Sequence, residues 1–317
     1  MKILIADKVP AWFSKSLEEA GCTVHVDPAL DGPTLTEAVR AHDPEVVVVR
    51  STKVQADQIE AGASLKMIVR AGAGVNTIDV ARATARGVKV TNCPGKNSSA
   101  VAELTIGLLV ALDRRICDNV ADLKAGKWAK KEYSKAQGLR GRTLGCLGLG
   151  NIGREVAHIA QAMGMKVVYW DPFVPADAAP GFTKVETPAE VAAAGDAVTI
   201  HLALVPATRN LVNEAVLAAL KPGAMLINTS RAEIVDKTAL VKAVQEKKIR
   251  VGLDVYWTEP GASDTAFSDD VATLPGVYGT HHIGASTEQA QDAVAEEAVR
   301  IIRTFQASGE ALNCVNP

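Results

Sequence analysis

Short apolar runs alternate with stretches of helical period along most of the chain. Residues 3–5, 46–49, 67–69 and 88–90 are short apolar runs rich in Val and Ile, bounded by turn residues. Between them, residues 11–20 and 34–41 repeat apolar side chains at helical spacing. Such alternation predicts βαβ units around a parallel sheet covered on both faces. The same grammar restarts near Thr143, with strands predicted over 143–148, 165–170, 197–202, 224–228, 250–255 and 277–280. Between the halves, 98–116 reads as one long helix, because Val101, Leu104, Thr105, Leu108, Leu109 and Leu112 recur at steps of three and four. Near the carboxyl end, Ser286-Thr287-Glu288-Gln289 has the form of a capping box ahead of Val294, Ile301 and Phe305. That last helix is expected to leave the second sheet and pack back on the first. The predicted fold class is therefore α/β, with two doubly wound parallel-sheet domains and a cleft between them. Residues 1–98 with 286–317 form one domain, and the inserted stretch 99–285 forms the other.

Composition narrows the choice. With 48% apolar, 22% charged and only 4% aromatic residues, the cores must be built from Ala, Val, Leu and Ile. A formal charge of −2 gives no global attraction to nucleic acid or to an anionic membrane, and neither partner is expected. The five cysteines are never spaced as C-x-x-C. They suit neither a disulfide framework nor a zinc site, so no metal is expected and a reducing cytoplasm is. The opening MKILIADKVP has too few consecutive apolar residues for a signal-peptide core. Residues 124–142 carry Lys124, Lys127, Lys130, Lys131, Lys135, Arg140 and Arg142 against Glu132. A solvated surface is the plain reading, and one or two cations reaching an anionic ligand is the sharper one.

Gly148-Leu149-Gly150-Asn151-Ile152-Gly153 is a G-x-G-x-x-G run with a predicted strand before it and a predicted helix, 152–163, after it. In that context it reads as a dinucleotide fingerprint. Gly148 permits the tight turn, Gly150 the approach of a pyrophosphate, and Gly153 close packing of helix on strand. The next predicted strand ends in Asp171, a carboxylate able to accept the ribose hydroxyls and to repel a 2′-phosphate. Pro172-Phe173-Val174 supply no cation for such a phosphate, so the predicted cofactor is NAD.

Three polar residues follow later predicted strands, where open α/β sheets bind their ligands: Arg231, Glu259 and His282. Singly each has a bland reading, as a surface charge, a turn residue before Pro260 and a core histidine. Jointly they can oxidise a 2-hydroxy acid: an imidazole exchanges the hydroxyl proton, a carboxylate fixes its tautomer, and a guanidinium holds the substrate carboxylate.

On these residues, and over essentially its whole length, the sequence resembles the D-2-hydroxyacid dehydrogenase family. The runs Val49-Arg50-Ser51-Thr52-Lys53-Val54, Arg70-Ala71-Gly72-Ala73-Gly74-Val75 and Gly126-Lys127-Trp128 look most like the branch acting on 3-phosphoglycerate. The resemblance implies a Rossmann cofactor domain inserted into a flavodoxin-like substrate domain, and a homodimer joined through the inserted domain. It implies catalytic roles for Arg231, Glu259 and His282, and cofactor contacts from Asn151, Ile152, Asp171, Thr229, Asp254 and Gly284, with Asp254 facing the nicotinamide amide. Arg50, Ser51, Gly74 and Asn97 match the family's substrate-side positions. The chain departs from the family at Ala232-Glu233, where small turn residues are usual, and at Asn76 and Ala203, which replace a common Asp and Pro. It also has His281 where Pro is usual, so that His281 competes with His282, and the following Ile283-Gly284 and the strand register favour His282. No serine feedback through further domains beyond Pro317 is expected.

Charge bears on the substrate. A phosphorylated hydroxy acid needs a second cationic cluster, for which Arg50, Lys53 and Arg70 are the candidates, with Lys130 or Lys131 from another subunit. Local salt bridging is the bland reading of Lys53 and Arg70. Gly72-Ala73-Gly74 reads as a backbone-amide cradle for the substrate carboxylate. The expected reaction interconverts 3-phosphoglycerate and 3-phosphohydroxypyruvate with NAD. The alternatives are a hydroxypyruvate or glyoxylate reductase and a non-catalytic NAD-sensing protein of the corepressor kind.

Overall fold

Val46–Val49, four consecutive valines with every residue buried, form the middle strand of a five-stranded parallel sheet. In the computed structural model, which describes residues 1–260 and 266–317, the strands are β1 (Lys2–Ile5), β2 (Thr23–Val26), β3 (Val46–Val49), β4 (Met67–Arg70) and β5 (Lys89–Asn92), in the order β2-β1-β3-β4-β5. That is the flavodoxin-like doubly wound order. The intervening helices are α1 (Ala11–Glu19), α2 (Gly32–His42), α3 (Ala56–Ala61) and α4 (Val80–Ala85). Alternate strand residues serve opposite faces. Ile3, Ile5, Val46 and Val48 meet Phe13 and Leu17 on one side, while Leu4, Val47 and Val49 meet Leu35 and Val39 on the other. The edge strand β2 was not predicted. Only Val24 of its four residues packs against a core, which leaves little apolar signal to read.

The second sheet is also parallel. Its strands are β6 (Thr143–Leu147), β7 (Lys166–Trp170), β8 (Thr183–Lys184), β9 (Ala197–Ile200), β10 (Met225–Asn228), β11 (Arg250–Leu253) and β12 (Val277–Gly279). The order is β12-β11-β10-β9-β6-β7-β8. Strand β6 therefore lies at the switch point, between β7 and β9, where such sheets bind their ligands. Its helices are α5 (Ser98–Arg114), α6 (Ile116–Lys124), α7 (Lys130–Tyr133), α8 (Asn151–Ala162), α9 (Pro188–Ala194), α10 (Glu214–Ala219) and α11 (Lys237–Lys247).

Two expectations need correction. The helix predicted over 98–116 ends at Arg114, because Arg115 turns left-handed (φ 51°) and α6 starts afresh. Arg115 is held there by Asp118 at 3.0 Å, by Glu132 at 2.7 Å and by the ring of Tyr133. The last helix, α12 (Glu288–Ser308), is capped by Thr287 rather than Ser286: the Thr287 hydroxyl accepts from the Ala290 N–H at 3.1 Å. Its Ala295, Ala298, Ile301 and Ile302 pack against Ile3, Val46 and Val69 of the first sheet. By contact the chain divides into Met1–Asn97 with Ser286–Pro317, and Ser98–Ala285. No helix among the described residues is long and apolar enough to cross a membrane.

Candidate active site

The G-x-G-x-x-G run joins β6 to α8, and Gly148 and Gly153 have steric reasons to be glycine. Gly148 has φ +91°, and a Cβ there would lie 2.6 Å from the His201 carbonyl oxygen. A Cβ on Gly153 would strike the Gly148 carbonyl. Above Gly150, by contrast, there is open space, and Gly150 caps α8 without any side chain accepting from the helix's first N–H groups. Unspent amides at the positive end of a twelve-residue helix, beside an unobstructed backbone, suit a pyrophosphate. Asn151 is exposed and Ile152 half-buried on the first turn.

Asp171 is buried at the end of β7. Its Oδ2 accepts from Leu149 N–H and its Oδ1 from Phe173 N–H, both at 2.8 Å. Each oxygen keeps acceptor capacity, and the carboxylate is tied to the glycine turn itself. These residues fit a dinucleotide with free ribose hydroxyls.

Strands β10, β11 and β12 lie side by side, and the loops after them carry Arg231, Glu259 and His282. His282 Nδ1 and Glu259 Oε2 are 2.7 Å apart; His281 is not the partner. Burial alone would raise the Glu259 pKa, but the His282 hydrogen bond, the Tyr256 N–H at 3.0 Å and the positive charges of His282 and Arg231 together lower it. Glu259 is therefore an ionised acceptor that fixes the proton on Nδ1 and leaves Nε2 as the working atom. His282 sits at φ +52°, a conformation costly for a residue with a Cβ. Asp254, 1% exposed, holds the turn. Its Oδ1 accepts from the Thr280 hydroxyl (2.6 Å) and Ile283 N–H (2.9 Å), and its Oδ2 from Gly284 N–H (2.8 Å).

Arg231 follows an Asx-type turn that the sequence reading missed. Buried Asn228 accepts from Ser230 N–H and Oγ–H at 3.0 and 2.7 Å and donates to the Arg231 carbonyl at 2.9 Å. The departure at Ala232-Glu233 is harmless to the backbone: the pair opens a short 3-10 turn, Ala232–Ile234, and neither residue needs positive φ. Thr229 is buried, its hydroxyl 2.9 Å from that of Thr105.

In the other unit, Arg50 follows β3, and Arg70 ends β4 paired in register with Val49. Gly72, at φ +155°, has the Arg70 guanidinium against it where any Cβ would lie. Gly74 and Asn97 are half-buried and Ser51 is exposed. Lys53 instead borders a groove with Asp31, Glu37 and Asp57. The sequence reading also missed Asp7, whose carboxylate binds the backbone of residues 50–52. Its only signal was an acid placed after an apolar strand. Among the described residues no group of three or more His, Cys, Asp or Glu side chains could hold a metal.

A parallel sheet with a glycine turn at its switch point, and a Glu–His pair beyond neighbouring strands, define a dinucleotide-binding α/β protein with an acid–base pair. Residues 106–284 match the family described as D-isomer specific 2-hydroxyacid dehydrogenase, NAD binding domain, and the chain belongs to that family. It is 40% identical over 311 residues to the D-3-phosphoglycerate dehydrogenase of Methanocaldococcus jannaschii, covering 96% of this chain but 58% of that one. It is 42% identical over 261 residues to the hydroxypyruvate reductase of Thermotoga maritima, covering 81% of this chain and 83% of the relative. The NAD+-bound 3-phosphoglycerate dehydrogenase of Entamoeba histolytica superposes with a TM-score of 0.83 at 28% identity, covering 100% of this chain and 99% of that one.

Proposed function

We propose that this protein interconverts a D-2-hydroxy acid and its 2-oxo acid with NAD, and that the preferred pair is 3-phosphoglycerate and 3-phosphohydroxypyruvate. The observation that carries the reading is the 2.7 Å Glu259–His282 pair in the unit that holds the glycine turn. Bound NAD supplies the hydride acceptor. His282 takes the substrate hydroxyl proton on Nε2, and Glu259 stabilises the imidazolium. Arg231 holds the substrate carboxylate and polarises the carbonyl oxygen. Gly148, Gly150, Asn151, Ile152 and Gly153 cradle the pyrophosphate, while Asp171 takes the ribose. Thr229, Asp254 and Gly284 line the nicotinamide end. Arg50, Ser51, Arg70, Gly74 and Asn97 serve the substrate, which makes residues 1–98 with 286–317 the substrate domain and 99–285 the cofactor domain.

The phosphorylated substrate is supported by the cations Arg50, just after β3, and Arg70, at the end of the neighbouring strand β4, and by the name of the archaeal relative. The Thermotoga maritima relative, matched over more of its own length, favours a second reading, reduction of hydroxypyruvate. Following NADH absorbance with 3-phosphohydroxypyruvate, hydroxypyruvate and glyoxylate separates them. The first reading expects the highest kcat/KM for the phosphorylated acid, and a preference for either of the others removes it.

We also infer a homodimer. Helix α6 exposes Ile116, Val120 and Leu123, and Trp128 beyond it is 82% exposed, an apolar stripe of the kind that a second copy covers. A cytoplasmic location is in keeping with the free cysteines Cys22, Cys93, Cys117, Cys146 and Cys314.

A further inference from the structure

The Asp7 carboxylate lies just beyond β1, beside the loop that follows the neighbouring strand β3. Its Oδ2 accepts from three consecutive backbone N–H groups, those of Arg50 (2.6 Å), Ser51 (3.1 Å) and Thr52 (3.1 Å). Its Oδ1 accepts from the Ser51 hydroxyl at 2.8 Å. The Thr52 hydroxyl in turn donates to the Ala6 carbonyl at 3.1 Å. Successive amides converging on one oxygen form an anion cradle, and here the chain's own carboxylate fills it.

This has a chemical consequence for the loop. A hydroxyl has one proton to give, and that of Ser51 is committed to Asp7. The three amides are committed as well. Of the donors carried by residues 50–52, the guanidinium of Arg50 is the one left for an acidic ligand. A second carboxylate or phosphate could reach the cradle only by displacing Asp7, at the cost of leaving that charge without partners.

We propose that Asp7 is the positioning residue of the substrate loop: it shapes residues 50–52 so that Arg50 meets the acid group of the substrate, and Ser51 acts through Asp7 instead of donating to the substrate. The inference rests on the reading of Arg50 as a substrate contact. Hydrogen bonds to a charged group are strong enough for their loss to change binding about tenfold.

The test is steady-state kinetics with the full-length protein, beside hydrogen exchange of the amides of residues 50–52. Asp7→Ala raises KM for the hydroxy acid about tenfold, with kcat and the Kd of NADH unchanged. Asp7→Asn keeps an oxygen for the amides and restores most of the affinity. Asp7→Ala combined with Ser51→Ala is no worse than Asp7→Ala alone. Multiplying effects in the double variant would mean that Ser51 donates directly, and would overturn its part of the proposal. An Asp7→Ala enzyme with unchanged KM, beside an Arg50→Ala enzyme with raised KM, would overturn the role of Asp7. Should Asp7→Ala not fold, Asp7→Glu, which keeps the charge but misplaces it, carries the same KM expectation. An unchanged KM in Arg50→Ala would count against the substrate reading itself. Exchange then decides for Asp7 alone: faster exchange at residues 50–52 in Asp7→Ala supports positioning, and unchanged exchange refutes it.

Discussion

His282 offers Nδ1 to Glu259 Oε2 at 2.7 Å while its backbone stays left-handed at φ +52°. The strained backbone is held by the buried carboxylate of Asp254, which binds the N–H groups of Ile283 and Gly284. Ring orientation and tautomer are thus set from two sides, by a carboxylate on the ring and another on the turn beneath it.

General acid–base groups typically contribute about 10²–10⁴-fold to rate. His282→Ala should therefore lower kcat by an amount in that range, with little change in the affinity for NADH. Glu259→Gln keeps the shape but loses the charge that fixes the tautomer, so kcat should fall while His282 remains folded in place. NADH absorbance for turnover and fluorescence titration for cofactor binding check both; full activity in His282→Ala would remove the proton role.

Asp171→Ala should weaken NAD binding about tenfold or more and narrow the preference for NAD over NADP, because a carboxylate facing the ribose repels a 2′-phosphate. Titrating both cofactors into wild type and variant measures this. An undiminished preference for NAD would show that other residues discriminate.

Glu297 on α12 should make stability depend on acid. Its side chain is buried among Arg300 (2.6 Å), Asn313 (2.8 Å) and Lys96 (3.5 Å). The Arg300 hydrogen bond leads in lowering its pKa to about 2, against the opposing effect of burial. A depressed carboxylate stabilises the fold above its unfolded pKa and loses that contribution as pH falls toward the folded value. With Arg300 half-exposed, solvent screening limits the effect to about 1–2 kcal/mol. Glu297→Gln should lower Tm at pH 7, and the gap from wild type should close between about pH 5 and pH 2. A gap independent of pH would refute this.

Val120→Lys on the exposed face of α6 should shift the sedimentation coefficient toward that of a monomer, since a charge in an apolar interface is costly to bury. A variant that sediments like wild type would show that α6 is not the contact.

Much of this could be read along the chain, for local reasons. The glycine turn is legible because its steric demands fall within one strand–turn–helix unit, where spacing and geometry are the same thing. The buried strands were visible as β-branched runs, whereas β2 and the two-residue β8 were not, since neither buries a residue fully enough to leave a pattern. Arg115 looked like one more helical residue. Only its bonds to Asp118, Glu132 and Tyr133 reveal why the helix stops there.

The sequence by itself determined two parallel α/β sheets, a dinucleotide turn and three candidate catalytic residues, because periodicity and short-range sterics are written in neighbouring positions. The 2.7 Å contact between His282 and Glu259, how Asn228 turns the chain before Arg231, and why Asp7 matters to a loop beyond a different strand were decided only by tertiary structure. Those contacts join segments far apart in the chain, and strand order, not residue type, brings them within hydrogen-bonding distance.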